Sequence, residues 1–304
     1  MKIGLVSAIL ENLSFQEVID YIADEGLDCV EVACWPKGEA DRRYAGVCHI
    51  DVDTLTKSEA EKMVEYCNAK KVSISALAYY SNPLDPDESK SIDSIKHLYR
   101  VIDAAKLLGV DLVTTFIGRN PCRSEEESFK DVERIWPAII QYAAKCQIKI
   151  GIENCPMLFT DDEWPGGKNI MTTPKNWRRV FEILDSPFIG LNYDPSHFIW
   201  QQMDYINPIY EFKDKIFHVH FKDIKLFKEK MSNVGIMATP LQYMMPKIPG
   251  LGDVDWGRFA SALTDIGFEG NACIEIEDKA FEESEQSIKK AIALSHKYLG
   301  NYIA

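Results

Sequence analysis

At 304 residues the chain can bury one large core or two ordinary ones, and 46% apolar with 27% charged residues is the make-up of a water-soluble globule. A formal net charge of −13 argues against nucleic acid or an anionic membrane surface as a partner. No apolar run reaches the ~18 residues of a membrane span.

The opening MKIGLVSAIL enters a strand pattern directly, with one basic residue and no small-residue cleavage site, so no signal peptide and a cytoplasmic location are expected. IGLVSA (3–8) is followed by a helix over 14–25, with Ser14 and Glu17 as a capping box and Gly26 as its stop. CVEVAC (29–34) precedes a helix over 58–71, and SISALAYY (73–80) one over 91–108. LVTTFIG (112–118) precedes a helix over 125–146. KIGIENC (149–155) precedes a helix opened by Pro174, a favoured first helical position. IGLNYDP (189–195) precedes a short helix near 204–214, IFHVHFKD (216–223) one over 256–266, and ACIEIE (272–277) the last, from about 281. The eight cysteines are scattered without a CxxC pair, which predicts reduced thiols, mostly packing residues.

Eight strands rich in Val, Ile, Leu and Ala, each followed by a helix, read as a parallel sheet buried on both faces. At this length they predict an α/β fold, a closed (β/α)8 TIM barrel in a single domain over 1–304. An open doubly wound sheet would usually carry a glycine-rich loop after its first strand, and SAILENLS has no glycine. Three long strand-to-helix loops, 35–57, 156–173 and 224–255, leave the face where barrels keep their active sites.

The strand ends on that face carry polar groups. Strand 5 supplies Glu153, strand 6 Asp194 with His197 three residues on, strand 7 His218 and His220, and the last strand Glu275 and Glu277. An ionised Glu153 closing an apolar strand needs a compensating partner, and a cation held with the neighbouring strand ends supplies one. Alternation puts both histidines on one side of strand 7 and both glutamates on one side of the last strand, so only one of each sits at the right height. Three carboxylates and one imidazole suit a hard to borderline divalent ion: Mn²⁺ first, with Mg²⁺, Co²⁺ and Zn²⁺ as alternatives.

GIEN, YDPSH, HVHFKD, PGLGDVDW and CIEIE resemble the xylose-isomerase-like barrels, the superfamily of sugar phosphate isomerases and epimerases. D-tagatose 3-epimerase, inositol-catabolism isomerases and dehydratases, and endonuclease IV belong to it. The motifs cover about the last half of the chain. The resemblance implies Glu153, Asp194, His220 and Glu275 as ligands of one divalent ion, His220 because the family ligand precedes x-x-Asp and Glu275 as the first acid of I-E-x-E. It also implies that Glu153 and Glu275 exchange protons with substrate, that His197 contacts substrate or metal, and often a homo-oligomer.

Further candidates for substrate contact are Trp35, Trp164, Arg119 and, more weakly, His49 and Asn82. Asp223 is a substrate-side candidate and an acceptor that could hold the ligand imidazole, or it pairs with Lys222 or Lys225. Each has a plain alternative: loop packing for the tryptophans, a surface ion pair for Arg119, a hydrogen-bonded core histidine for His197. His218 and Cys155 are expected to be structural. The implied activity is isomerisation or epimerisation of a keto sugar or polyol by proton transfer beside a carbonyl. A lyase or dehydratase using the same first step on a keto sugar, inosose or 3-keto glycoside is the alternative, and a non-catalytic metal- or sugar-binding subunit the non-enzyme reading. An endonuclease IV-like function needs extra histidines that ALAYYSN and TTFIGRN lack.

Overall fold

The computed structural model describes residues 1–38, 44–158 and 167–303. Among the described residues there are ten strands: β1 (Lys2–Val6), β2 (Cys29–Ala33), β3 (Ser73–Ala78), β4 (Leu112–Thr115), β5 (Lys149–Glu153), β6 (Ile189–Tyr193), β7 (Ile216–Phe221), β8 (Asp223–Leu226), β9 (Met244–Lys247) and β10 (Asn271–Ile274). Eight of them close a barrel in the order β1-β10-β7-β6-β5-β4-β3-β2, every neighbouring pair parallel. These are the eight strands the sequence predicts, each ending earlier than its apolar run. Ser7–Leu10, for example, leaves the sheet as a 3₁₀ turn.

Local chemistry sets the helices between them. Ser14 with Glu17, Thr56 with Glu59 and Ser124 with Glu127 form reciprocal capping boxes on the helices Phe15–Glu25, Lys57–Lys70 and Glu125–Cys146. The expected helix over 91–108 begins earlier, at Glu88, because Asp87 accepts from Ser89 N and Lys90 N. The last helix begins at Glu285, capped by Ser284, and the segment near 204–214 is reduced to Asn207–Glu211.

The loop over 224–255 carries structure of its own. β8 and β9 pair antiparallel, and a short helix, Lys228–Val234, lies between them. Asp223, at the root of this hairpin, accepts from Ile224 N, Gly250 N, Val254 N and Trp256 Nε1 at 2.8–3.1 Å. Gly252 is required here, since a Cβ would land on the Asp223 carboxylate. Asp223 therefore anchors this loop, which corrects the expectation that it holds the His220 imidazole.

Helices pack a core of aliphatic and aromatic side chains onto the strands, and a separate group of buried residues within the barrel is largely polar. Ser75, His218 and Cys273 form a lower layer, with His218 Nε2 3.2 Å from Ser75 Oγ and Ser75 Oγ 3.4 Å from Cys273 Sγ. Glu31, Thr114, Asn192 and His220 lie above them, all buried.

Candidate active site

Four strand ends converge at the C-terminal mouth. Glu153 closes β5, Asp194 follows β6, His220 lies in β7 and Glu275 follows β10. One ligand atom from each lies within 4.8 Å of all the others. His220 Nδ1 is 3.0 Å from Glu275 Oε2 and 3.8 Å from Glu153 Oε1. His197 Nε2 completes the ring at 3.1 Å from Asp194 Oδ2 and 3.4 Å from Glu153 Oε1. The Asn154 amide fixes part of this geometry: its Oδ1 accepts from Asp194 N and its Nδ2 donates to Asp194 O.

The centre is buried except toward Glu275, whose side chain is 17% exposed and marks the way in. Asp194 Oδ2, His197 Nε2, His220 Nδ1 and Glu275 Oε2 are buried and make no hydrogen bond. Orphaned polar atoms of this kind are rare in a folded chain. Here they all point into one space, among three carboxylates that repel one another. A divalent cation satisfies them together, and carboxylate oxygens with an imidazole nitrogen are a donor set that fits one.

The imidazoles are strongly polarised. Burial alone lowers the pKa of His220, but the carboxylates of Glu31 and Glu275 outweigh it and hold it well above the ordinary histidine range. His197 is raised in the same way, burial being outweighed by Cys155 and Asp194. Burial pushes the Glu153 carboxyl up, yet His197 and His220 draw it well below the usual carboxylate range.

Several residues of the site were not anticipated. Glu31, in the middle of β2 and fully buried, places Oε2 2.8 Å from His220 Nε2. Its Oε1 accepts from Tyr80 Oη at 2.5 Å and Thr114 Oγ1 at 3.0 Å. Asn192 Nδ2 also lies 2.9 Å from His220 Nε2, but it has Tyr80 Oη as an acceptor at 2.9 Å. With a cation bound, the Glu31 carboxylate would accept the Nε2 proton of a neutral His220 and leave the Nδ1 lone pair to the ion, the role expected of Asp223. Lys222 is buried as well, with Nζ 3.2 Å from Glu275 Oε1 and 2.5 Å from Glu277 Oε2. Cys155, expected to be mere packing, lies beside His197 and Glu153.

The other candidates for substrate contact have partners of their own. Trp35 packs edge-on against Tyr79, with ring centroids 5.0 Å apart. Arg119 is bound through its backbone, its N–H and C=O both meeting the Asn82 amide, and Glu125 is a charged neighbour of its half-buried side chain. His49 is tied to Ser7 Oγ and Leu10 O. Trp164 lies outside the described residues. Glu31 left one signal in the sequence, a charge inside the apolar run CVEVAC, the same anomaly that marks Glu153.

Comparison with known proteins agrees with this fold. The family model described as xylose isomerase-like TIM barrel matches residues 19–298. YfiH of Bacillus subtilis, an uncharacterized protein, is 26% identical over 314 residues, covering 91% of this chain and 93% of its own. An inosose dehydratase of Lactiplantibacillus plantarum is 24% identical over 133 residues, 43% of each chain. Among solved structures, D-psicose 3-epimerase with D-tagatose from Clostridium cellulolyticum H10 aligns over 100% of this chain and 99% of its own, at a TM-score of 0.70 and 12% identity.

Proposed function

Since the chain belongs to the xylose isomerase-like TIM barrel family, we propose that it is a divalent-cation-dependent isomerase or epimerase of a keto sugar or related polyol. The observation that carries this reading is the convergence of Glu153, Asp194, His220 and Glu275 with three of their buried ligand atoms unsatisfied. These four residues hold the cation, Mn²⁺ being the first choice for so oxygen-rich a set. When bound, it stabilises the negative charge that develops on the substrate's carbonyl oxygen as the neighbouring C–H is broken.

The chain's own groups do the rest. The Glu153 carboxylate takes the proton from the carbon beside the carbonyl, and Glu275 returns one from the other side of the reacting carbon. Lys222 fixes Glu275 through Oε1, so that Oε2 faces the cluster. Glu31 aims His220, and the Asn154 amide holds the backbone of Asp194. His197, between Glu153 and Asp194, is the side chain nearest to a substrate hydroxyl or to metal.

The test is solvent exchange. Cation-loaded protein in D₂O with a panel of ketohexoses, inososes and 3-keto glycosides should place deuterium beside the carbonyl of at least one compound and yield an epimer or aldose. Glu153→Gln should abolish both while leaving the fold and its melting temperature intact; full exchange in that variant would sink the reading. The inosose dehydratase similarity favours one second reading, loss of a β-substituent after the same proton abstraction. Exchange accompanied by release of water or an alcohol would establish it.

A further inference from the structure

We infer that Cys34 and Cys48 are a reversible modification site, a thiol pair that closes to a disulfide at the root of the long loop after β2. Both are free thiols in the structure. Backbone geometry brings them together. Cys34 follows the last residue of β2, and the chain returns so that Cys48 pairs with it in an isolated antiparallel bridge. Trp35 N donates to Val47 O at 3.2 Å, and His49 N donates to Ala33 O at 3.0 Å. Those two bonds flank the cysteines, which exchange no backbone bond with each other. Residues paired in this way stand directly opposite, with side chains on the same side and Cα atoms about 4.5 Å apart. A disulfide spans Cα separations of about 4.4–6.8 Å.

The side chains agree with the backbone. Burial pushes the Cys34 thiol well up, and the charge of a Cys48 thiolate beside it pushes it further, an effect of proximity. Both segments are pinned before any bond forms. His97 Nε2 lies 2.8 Å from Cys34 O, and His49, next to Cys48, is tied to Ser7 Oγ and Leu10 O. Cys34 is fully buried and Cys48 only partly, so an incoming reagent meets Cys48 first. Burial and the carboxylates of Asp51 and Asp53 push the Cys48 thiol up to about 11, against the pull of Lys37, which pairs with Asp51 at 2.8 Å. At neutral pH the pair therefore rests as thiols and reacts through a small thiolate fraction. Cys29 and Cys273 also meet through their side chains, yet each pairs with Gly4 of β1, from opposite sides. Two strand spacings, roughly 9–10 Å, separate their Cα atoms, beyond the about 7 Å that a bridge can reach.

The oxidant is a small disulfide, RS–SR, of the glutathione class. The Cys48 thiolate attacks one of its sulfurs, a bond from Cys48 Sγ to SR forms, and one RS⁻ leaves. Cys34 then gives its proton to solvent, and its sulfur attacks Cys48 Sγ and expels the second RS⁻. The two protein thiols are oxidised to one disulfide, and the small disulfide is reduced to two thiols that take up the two protons. A partly exposed bridge is open to the reverse exchange, the mark of a labile disulfide and not of a structural one. Closure ties the returning segment to the end of β2, three residues beyond Glu31, and fixes the ends of residues 35–47 where they leave the barrel mouth.

The experiment treats the folded full chain with oxidised glutathione at mildly alkaline pH, then alkylates the free thiols and digests without reductant for mass spectrometry. The peptides carrying Cys34 and Cys48 should appear joined, two hydrogens lighter than the free pair, and dithiothreitol should separate them again. Cys34→Ser should instead trap glutathione on Cys48, which has lost the thiol that resolves it. Cys48→Ser should keep the wild-type circular dichroism and leave Cys34 reduced, and it carries the control if the buried Cys34→Ser fails to fold. Cys34 and Cys48 both still free in the treated wild type overturn the inference. So does glutathione that stays on Cys48 with Cys34 intact, or a bond from either residue to a different cysteine.

Discussion

Glu31→Gln is the sharpest test of how the imidazole is held. In the wild type Tyr80 and Thr114 both donate to Oε1, while Oε2 faces His220 Nε2 at 2.8 Å. In the glutamine variant those two donors fix the amide oxygen at the Oε1 position and leave the NH₂ facing His220. An amide N–H there donates to Nε2, which forces the ring proton onto Nδ1, the atom that faces the carboxylates. The fold should survive, because every buried partner of the side chain is still matched. The cation site loses one ligand atom to a proton. Changes to the hydrogen-bond partner of a metal ligand typically cost about 10–100-fold in affinity, or roughly 1.4–2.8 kcal/mol. Isothermal titration of Mn²⁺ into the two proteins at neutral pH measures this directly. Unchanged affinity in a variant with an unchanged melting temperature would refute the tautomer argument.

Cation binding should also be proton-linked. His220 and His197 are raised above the ordinary value near 6.5 in the cation-free chain, so at neutral pH they carry protons that an incoming ion displaces. Affinity should therefore climb with pH until those raised values are passed, and titrations in buffers of different ionisation enthalpy count the protons released. Without cation the same imidazolium–carboxylate pairs stabilise the fold fully below pH ~6.5, and that stability is lost as pH rises through the raised values; thermal melts with chelator should show the decline, and cation should abolish it. Asp223→Ala strips four donors of their acceptor in the buried root of the β8–β9 hairpin. A loss of about 3 kcal/mol or more in denaturant unfolding is expected, and a loss below about 1 kcal/mol would show that water replaces the carboxylate there.

The barrel was readable because each strand-plus-helix unit announces itself locally, by an apolar run, a capping residue such as Ser14 or Ser124, and a stop such as Gly26 or Gly109. The four strand-end donors were readable for a related reason, since charge at the end of an apolar strand stands out. Glu31 is the same kind of anomaly, but it lies in mid-strand, and its partner His220 comes from a strand across the lumen that no local pattern announces. Asp223 stands close to the proposed ligand His220 in sequence and turns away from it in space, because the amides of Gly250 and Val254 return to it from the far end of a long loop. The β8–β9 pairing was hidden in the same way, its second strand MMPK carrying a proline and no alternation. Cys155 next to His197 is likewise a meeting of two strand ends, brought about by the parallel pairing of β5 with β6.

The bond between Glu31 and His220 joins the second strand of the barrel to the seventh. A fragment beginning at β5 would keep every proposed ligand atom of the cation centre and lack the carboxylate that aims one of them. Cation affinity thus reports whether the ring of strands is shut, and by linkage the cation favours the shut ring. The ion would then act as a clasp on the fold as well as a reagent, and slow breathing of the seam between β1 and β2 would be felt at the mouth as a change in how tightly that clasp holds.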